Sequence, residues 1–372
     1  MRPIRPTPRL FRARAGVALA LLATVVVLGT GCRERRGSMR ELRTASAVDM
    51  KSSKTLRIET RSADVHLIQS PDDTLRVIAY RRVEAGSDRA AESLLSQIKV
   101  TMERQADRLV LRVREPERGR TRVNVEAGPW SYRRSIELEL SVAVPARVLV
   151  ECETSRGDID AVGLAQPVEM VATTGDIELS QLTGPVRVQT TSGDVTLRDL
   201  GQGASVRVTA GDVDAVEVRG MLVIRATSGD VSAQELHGGT RLETSTSPVE
   251  VHGVEGTVMV STSAGEVDVS AAAADSCVIE TASGDISAAL VRAPRVVQVR
   301  SSSGSVMIHL PPGAGGALDL QTATGSIQVK SAVEVDVMNR NRLSGRLGGT
   351  GAVAIRTSSG DITLASNHGV EP

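Results

Sequence analysis

Aromatic side chains are nearly missing from this sequence of 372 residues, which contains one Trp, two Tyr and one Phe. Proteins that bind nucleic acid usually combine a basic surface with aromatic side chains on which bases stack, and no stretch of this sequence has both. With so few aromatics, the core must be built from Val, Ile and Leu, which favour pleated strands packed in layers. The composition therefore predicts an all-β protein and argues against a nucleic-acid partner.

Lysine and cysteine are scarce as well. Lysine occurs only at positions 51, 54, 99 and 330, so nearly all positive charge is arginine, and 44 basic residues balance 44 acidic ones. The three cysteines are too few for a disulfide framework. The five histidines show no metal-ligand spacing, and no nucleophile–base pair can be assigned. We therefore expect no cofactor, no metal site and no enzymatic activity.

The N-terminus has the pattern of an export signal. A basic segment is followed by the apolar run VALALLATVVVL, which is too short to span a bilayer comfortably, and then by GTGC. We predict a signal peptide over residues 1–31, lipidation at Cys32 and a polar tether over residues 32–53. Cleavage by the ordinary signal peptidase and an uncleaved anchor are the alternatives. In each case the body of the protein is extracytoplasmic.

One short turn motif recurs along the rest of the chain, in forms such as TTGDIEL, TSGDVTL and SSGDITL. Its glycine slot recurs every 18 residues from Gly157 to Gly265, with Ser247 in the slot once, and then at Gly284, Gly304, Gly325 and Gly360. Apolar residues stand two positions after and five positions before each slot, with polar residues alternating between them. Such a short two-strand unit buries its apolar face only by stacking on copies of itself.

The repeat predicts a right-handed parallel β-solenoid with about 18 residues per coil. We expect the regular solenoid over residues 151–366, a tail at 367–372, and an irregular cap over residues 54–150. In the cap, SDRAAESLLSQI predicts a short helix and IKVTMERQADRLVLRVRE predicts a hairpin. After the last repeat only a few polar residues follow, so we expect an open coil edge at Ile362–Leu364.

These motifs resemble a known family. Val144-Pro145 before the first Gly-Asp coil, the reiterated SGDVxL coils and the ending NRLSGRLGGTGAVAIRTSSGDITL are similar to a bacterial family of unknown function labelled "putative adhesin". The resemblance covers residues 54–366. It implies an exported right-handed β-helix and supplies no catalytic residues.

Three features are candidate sites. An acidic residue follows most of the slots and forms a column that includes Asp176, Asp194, Asp212 and Asp230; it is read either as solvated turn caps or as a calcium column like that of β-rolls. Trp130 and Tyr132 lie in a long insertion that either packs on the end of the solenoid or forms a contact loop. Cys32 is the predicted lipidation site.

We therefore expect an exported, lipid-anchored, adhesin-like module of the cell envelope. Its expected partners are the membrane, through the lipid, and an unidentified envelope protein or glycan. A second copy bound at the C-terminal edge is a further expectation. The alternative is a regulatory or assembly lipoprotein that pairs with a partner through the open coil edge. A calcium-binding β-roll and a polysaccharide-active enzyme are less favoured.

Overall fold

The computed structural model describes residues 38–50, 53–116 and 135–366, which form 27 strands and one helix in a single hydrogen-bonded sheet system. Before the first regular coil come β1 (Ser38–Asp49), β2 (Thr55–Glu59), β3 (Asp64–Ser70), β4 (Thr74–Ala85), α1 (Asp88–Gln97), β5 (Lys99–Gln105), β6 (Arg108–Arg114) and β7 (Ser135–Pro145).

The regular coils contain β8 (Leu149–Thr154), β9 (Ile159–Val162), β10 (Val168–Thr174), β11 (Ile177–Leu182), β12 (Val186–Ser192), β13 (Val195–Leu200), β14 (Ala204–Ala210), β15 (Val213–Ser228), β16 (Val231–Thr246), β17 (Val249–Ala264), β18 (Val267–Ser283), β19 (Ile286–Leu290), β20 (Val296–Ser303) and β21 (Val306–Leu310). The last part contains β22 (Ala314–Thr324), β23 (Ile327–Lys330), β24 (Val333–Asn339), β25 (Arg342–Leu347), β26 (Thr350–Ser359) and β27 (Ile362–Ser366).

The middle of the molecule consists of parallel ladders between successive repeats. Val168 pairs with Val186, and Val186 pairs with Ala204, so partners in these ladders are 18 positions apart. The strands after each bend pair in the same way, as Ile177 does with Val195. Residues in equivalent positions of successive repeats therefore lie above one another, in columns that run along the stack.

The two apolar columns predicted from the sequence form the core. Each glycine slot forms a sharp bend of the chain. From Gly157 onward, the side chains five positions before each bend, such as Ile224 and Leu242, are at most 2% exposed. The same is true two positions after each bend, as at Val213 and Val231, except at Ile327. Ile327 is the one member of either column, within the described residues, that is only partly buried. It belongs to the coil at the end of the stack, where only one neighbouring coil covers it.

A third column was not anticipated. Six residues after most bends the backbone takes the left-handed conformation, with φ of 56° at Gln181, 50° at Asp199, 57° at Glu217 and 53° at Glu235. The sequence does not reveal this column, because most of its members are not glycine, the residue that normally marks such a conformation.

The sheet is not purely parallel, which corrects the predicted fold. At the N-terminal end β1, β4 and β7 form an antiparallel run, and β5–β6 is the predicted antiparallel hairpin. The predicted helix is α1, whose N-cap Ser87 accepts a hydrogen bond from the Ala90 amide. Antiparallel pairing also occurs at the other end, in β22–β25 and β24–β25. The all-β prediction thus holds, as do the helix and hairpin predicted in the cap, whereas the regular parallel solenoid predicted over residues 151–366 is interrupted at its C-terminal end by the antiparallel strands β24 and β25.

The last repeat does not lie at the end of the stack. β26 pairs in parallel with β20 on one side and β22 on the other, and β27 pairs with β21 and β23. The coil of Gly360 is therefore inserted between the coils of Gly304 and Gly325. The predicted open edge at Ile362–Leu364 is wrong, because Ile362 and Leu364 are paired on both sides and fully buried. The exposed end is formed instead by β23 and β24.

Several predicted features lie outside the described residues. These are the signal peptide, Cys32, residues 32–37 and 51–52 of the tether, the insertion with Trp130 and Tyr132, and the tail at 367–372. The rest of the predicted tether is wrong, because residues 38–49 form β1 and pair with β4. Within the described residues, no helix has the length and apolar character needed to cross a membrane.

Candidate functional site

The acidic column forms a ladder of hydrogen bonds between coils. The Oδ1 atom of Asp176 accepts from the Asp194 backbone amide at 2.9 Å, and Oδ1 of Asp194 accepts from the Asp212 amide at 2.8 Å. Oδ1 of Asp212 accepts in turn from the Asp230 amide at 2.8 Å. The ladder begins one coil earlier than the sequence suggested, at Asp64, whose Oδ1 accepts from the Asp158 amide at 3.0 Å.

This ladder explains why an aspartate follows most of the bends. Each carboxylate caps an amide at a sharp bend, where a backbone donor lacks a ladder partner. The inserted coil follows the same rule, because Asp361 accepts from the amide and hydroxyl of Ser326, and these bonds lower the pKa of its carboxyl. No group of three metal-ligating side chains that could hold an ion occurs in the described part of the chain.

The residues just before the bends form a polar surface with shallow depressions. One depression of 320 Å³ is lined by three coils, with Arg207, Arg225 and Glu243 on one side and Thr209, Thr227 and Ser245 on the other. A second, of 430 Å³, repeats the same positions further along the stack, with Glu280, Arg300 and Arg356 beside Ser302 and Ser358. The two depressions thus follow one line along the molecule.

A column of buried hydroxyls forms the floor of this line. Thr190, Thr262 and Thr281 are 5–6% exposed and donate to the carbonyl oxygen two residues on, at 3.1–3.2 Å, which holds the bend. Thr244 and Ser301 occupy the same column at 7% exposure, but their hydroxyls have no hydrogen-bond partner in the described part of the chain. Each of these two residues lines one of the two depressions.

Arginines concentrate on the same face of four successive coils. We call Arg187, Arg207, Arg225 and Arg241 the arginine strip. Arg207 and Arg225 are direct partners in a parallel ladder, whereas Arg187 and Arg241 stand in the neighbouring outward column, three rungs apart. Only Arg225 has an ion pair among the described residues, with Glu243 at 2.7 Å, which raises the pKa of Arg225 and lowers that of Glu243.

The opposite face of the coils has the opposite charge. Its outward column, three positions after each bend, contains five acids in seven successive coils, and we call it the acidic face: Asp160, Glu178, Thr196, Asp214, Ser232, Glu250 and Asp268. Within the described residues, its ion pairs are Arg198 with Asp214 at 3.2 Å and His66 with Asp160 at 3.4 Å. Across the four coils of the arginine strip, the acids of this column are Asp214, which is paired with Arg198, and Glu250.

The end of the stack is the most apolar exposed surface. On β24, Val335 and Val337 are each 48% exposed and Met338 is 72% exposed. β24 pairs only with β25 among the described strands, and the register shifts between Val335 and Val337. A bulge of this kind disrupts the regular row of edge donors and acceptors, so it disfavours simple strand addition.

The two cysteines within the described residues are not candidate nucleophiles. Cys152 and Cys277 are free, as predicted, and at most 1% exposed. Burial raises the pKa of each thiol to about 12, so neither is ionised near neutral pH.

Comparisons with solved structures return similar chains of low identity. A "putative adhesin" from Bacteroides fragilis is 12% identical, with 87% of this chain and 97% of that chain covered and a TM-score of 0.30. A "putative adhesin" from Parabacteroides distasonis is 9% identical, with 87% and 97% covered and a TM-score of 0.32. A "putative lipid binding protein" from the same species is 13% identical, with 87% and 96% covered and a TM-score of 0.28.

No curated protein matches the chain significantly. The family model described as Toastrack DUF4097 matches residues 53–247 and, a second time, residues 240–365. Since these two matches together run from the first strand of the solenoid through its inserted last coil, the chain belongs to the Toastrack DUF4097 family.

Proposed function

We propose that this chain is an exported, lipid-anchored, adhesin-like β-solenoid that binds an envelope polymer without chemically changing it. In this proposal the chain winds as a right-handed coil of about 18 residues, and Cys32 carries the lipid that holds the molecule at the membrane surface. The short segment between Cys32 and β1 then acts as the tether, because residues 38–49 belong to the sheet, and the solenoid projects its flat faces away from the bilayer.

The observation that carries the proposal is the line of shallow, hydroxyl- and arginine-lined depressions that runs across successive coils. Small-molecule and catalytic sites are usually concave pockets that enclose most of the ligand. An open line that repeats from coil to coil is suited to a ligand that is itself extended. Aromatic side chains, on which sugars often stack, are scarce in this chain. Charged and hydroxyl side chains along the line would instead bind the polymer through hydrogen bonds.

The experiment is co-sedimentation of the full-length protein with purified envelope polysaccharide, followed by measurement of new polymer chain ends. We expect saturable binding and no new ends. Release of new ends would show an enzyme, and absence of binding to every envelope polymer would contradict the proposal.

Anchoring is tested separately. Cys32→Ser should release the protein from the membrane fraction or block its maturation. Unchanged membrane partition, together with an unmodified mature N-terminus beyond residue 32, would contradict lipidation. This result is independent of the binding experiment.

A second candidate function is assembly with a protein partner at the exposed end, and the apolar surface of β24 favours it. Val335→Ser with Met338→Ser should abolish a complex seen by sedimentation of the wild type. Met221→Ser is the matched control, because Met221 is 45% exposed on β15, in the middle of the stack. A wild-type protein that stays monomeric and retains no envelope protein would contradict this candidate.

A further inference from the structure

We propose that the arginine strip, Arg187, Arg207, Arg225 and Arg241, binds an acidic polysaccharide, a chain of sugars bearing carboxylate groups. This inference rests on the proposed function and specifies its ligand class and its site. Residues 32–372 have a net charge of −5, from 39 basic and 44 acidic residues, so a concentration of arginines is a local exception.

The spacing of the strip fits an extended anion. Neighbouring parallel strands lie about 4.8 Å apart, so the strip, which spans four coils, extends about 14 Å along the stack. Guanidinium groups recognise carboxylates through paired, planar hydrogen bonds. A polymer lying along the stack would therefore meet an arginine at every coil, whereas a single small anion would reach only one or two.

The strip also lacks internal neutralisation. Arg207 and Arg225 are direct ladder partners, and like charges in that arrangement repel. Glu243 pairs with Arg225 and also attracts Arg241, whose guanidinium donates to the Met259 sulfur at 3.4 Å. Arg187, Arg207 and Arg241 form no ion pair among the described residues, although Glu169 is the ladder partner of Arg187. A bound row of carboxylates would remove this repulsion.

A second observation points to a ligand at the same place. Thr244 lines the depression beside Arg207, Arg225 and Glu243, and its hydroxyl is buried without a hydrogen-bond partner among the described residues. Buried hydroxyls in proteins are nearly always hydrogen-bonded. The hydroxyl oxygen has less than 1 Å² of exposed surface, so a polar group in the depression would pair with it once the Thr244 side chain rotates outward.

We assign the ligand as an extended polymer and not a lipid headgroup, since the arginines follow a line of depressions that crosses successive coils. The acidic face lies on the strands after the bends, away from this line. A chain lying lengthwise along the line meets the whole strip.

The test compares two triple variants for binding to polygalacturonate, with neutral dextran and anionic phospholipid vesicles as further probes. The strip variant is Arg187→Gln, Arg207→Gln and Arg241→Gln, which leaves the Arg225–Glu243 pair intact. The control is Arg61→Gln, Arg89→Gln and Arg346→Gln, three exposed arginines without ion pairs among the described residues. Both variants change the net charge by the same amount.

We expect the strip variant to bind polygalacturonate about tenfold more weakly and the control to bind within about twofold of wild type. Thr244→Val, made alone, should also weaken the binding of polygalacturonate relative to the wild type. Equal loss in both triple variants, equal binding of dextran, or binding of vesicles but not of polygalacturonate would overturn the inference. A wild type that binds only neutral envelope polymers would overturn it while leaving the proposed function intact.

Discussion

Glycine is required at the bends for two independent reasons. At Gly211 the backbone has φ of +139°, a conformation that residues with a side chain rarely adopt. A Cβ atom built there would also lie 2.2 Å from the carbonyl oxygen of Gly193 in the preceding coil. Ser247 occupies the same slot without positive φ and is fully buried, which shows that one coil has adapted its backbone to accept a side chain.

Gly211→Ala should therefore lower the free energy of unfolding by about 2–4 kcal/mol, because it adds backbone strain and a clash with rigid backbone. The control is Gly348→Ala, where the added Cβ meets nothing within 4 Å and φ is not positive. Its effect should stay within about 0.5 kcal/mol. The two values come from urea unfolding, and equal effects would contradict the double requirement.

Cys152 and Cys277 should react with iodoacetamide only after unfolding. Their thiol pKa values are raised to about 12 from an ordinary value of 9.0, so raising the pH from 7 to 9 should not accelerate labelling of the folded protein. The folded state holds these protons more tightly than the unfolded state does. Stability should therefore be unaffected by the two thiols below about pH 9 and should fall as the pH rises from there towards 12. Labelling that follows the thiolate fraction of a free cysteine would contradict their burial.

At the scale of the elements, the insertion of β26 and β27 reverses the expected order of stability. Chain position alone would make the last repeat a fraying end. In the structure β26 and β27 have two strand neighbours each, whereas β23 and β24 have one each among the described strands. Local opening follows the number of strand neighbours and the burial of a segment, not its place in the sequence.

We predict that the amides of β26 and β27 exchange with solvent much more slowly than those of β23 and β24. Hydrogen exchange read by mass spectrometry on peptides from 350–366 and 327–339 would measure the difference. Faster or equal exchange in 350–366 would contradict the insertion.

The sequence predicts the repeated part well and the ends poorly, for a physical reason. Val213, Leu242 and their equivalents recur at fixed spacing, and a buried column needs an apolar residue at every coil. The insertion has no such signal, because the coil of Gly360 has the same motif as the coils on either side of it and fits equally well at the end or in between. The handedness of the coil stays a prediction.

The arginine strip escaped sequence reasoning for a similar reason. Arg187, Arg207, Arg225 and Arg241 occupy two different positions of the repeat, and each looks like an ordinary solvated residue of its strand. Only the stacking of coils places them side by side. The aspartates of the ladder, by contrast, recur at one position of the repeat, so the sequence predicts their column. The sequence alone leaves two interpretations of that column open, turn caps and a calcium site.

At the scale of the whole molecule, each coil contacts only its two neighbours in the stack. The free energy of unfolding is therefore approximately a sum over the interfaces between neighbouring coils. Ile224 lies in the middle of the stack and is fully buried, whereas Ile327 lies in the end coil and is only partly buried. The same substitution should therefore have different costs at the two positions.

Ile224→Ala should cost about 3 kcal/mol, within the range for core truncations, and Ile327→Ala about 1 kcal/mol, because a half-covered site leaves a smaller cavity. Urea unfolding followed by circular dichroism gives both values. A larger loss at Ile327 would show that the end coil is covered, for example by a second molecule.

The inserted coil also has a consequence for the order in which the parts of the protein fold during synthesis. Residues 314–330 leave the ribosome before residues 350–366, yet in the finished molecule they are held to β20 and β21 only through the later segment. Until that segment arrives, the coil of Gly304 has an unpaired edge and the coil of Gly325 has no coil to rest on. We therefore expect the last step of folding to join two parts already present, so that the end of the solenoid becomes ordered only after residue 366 has been made.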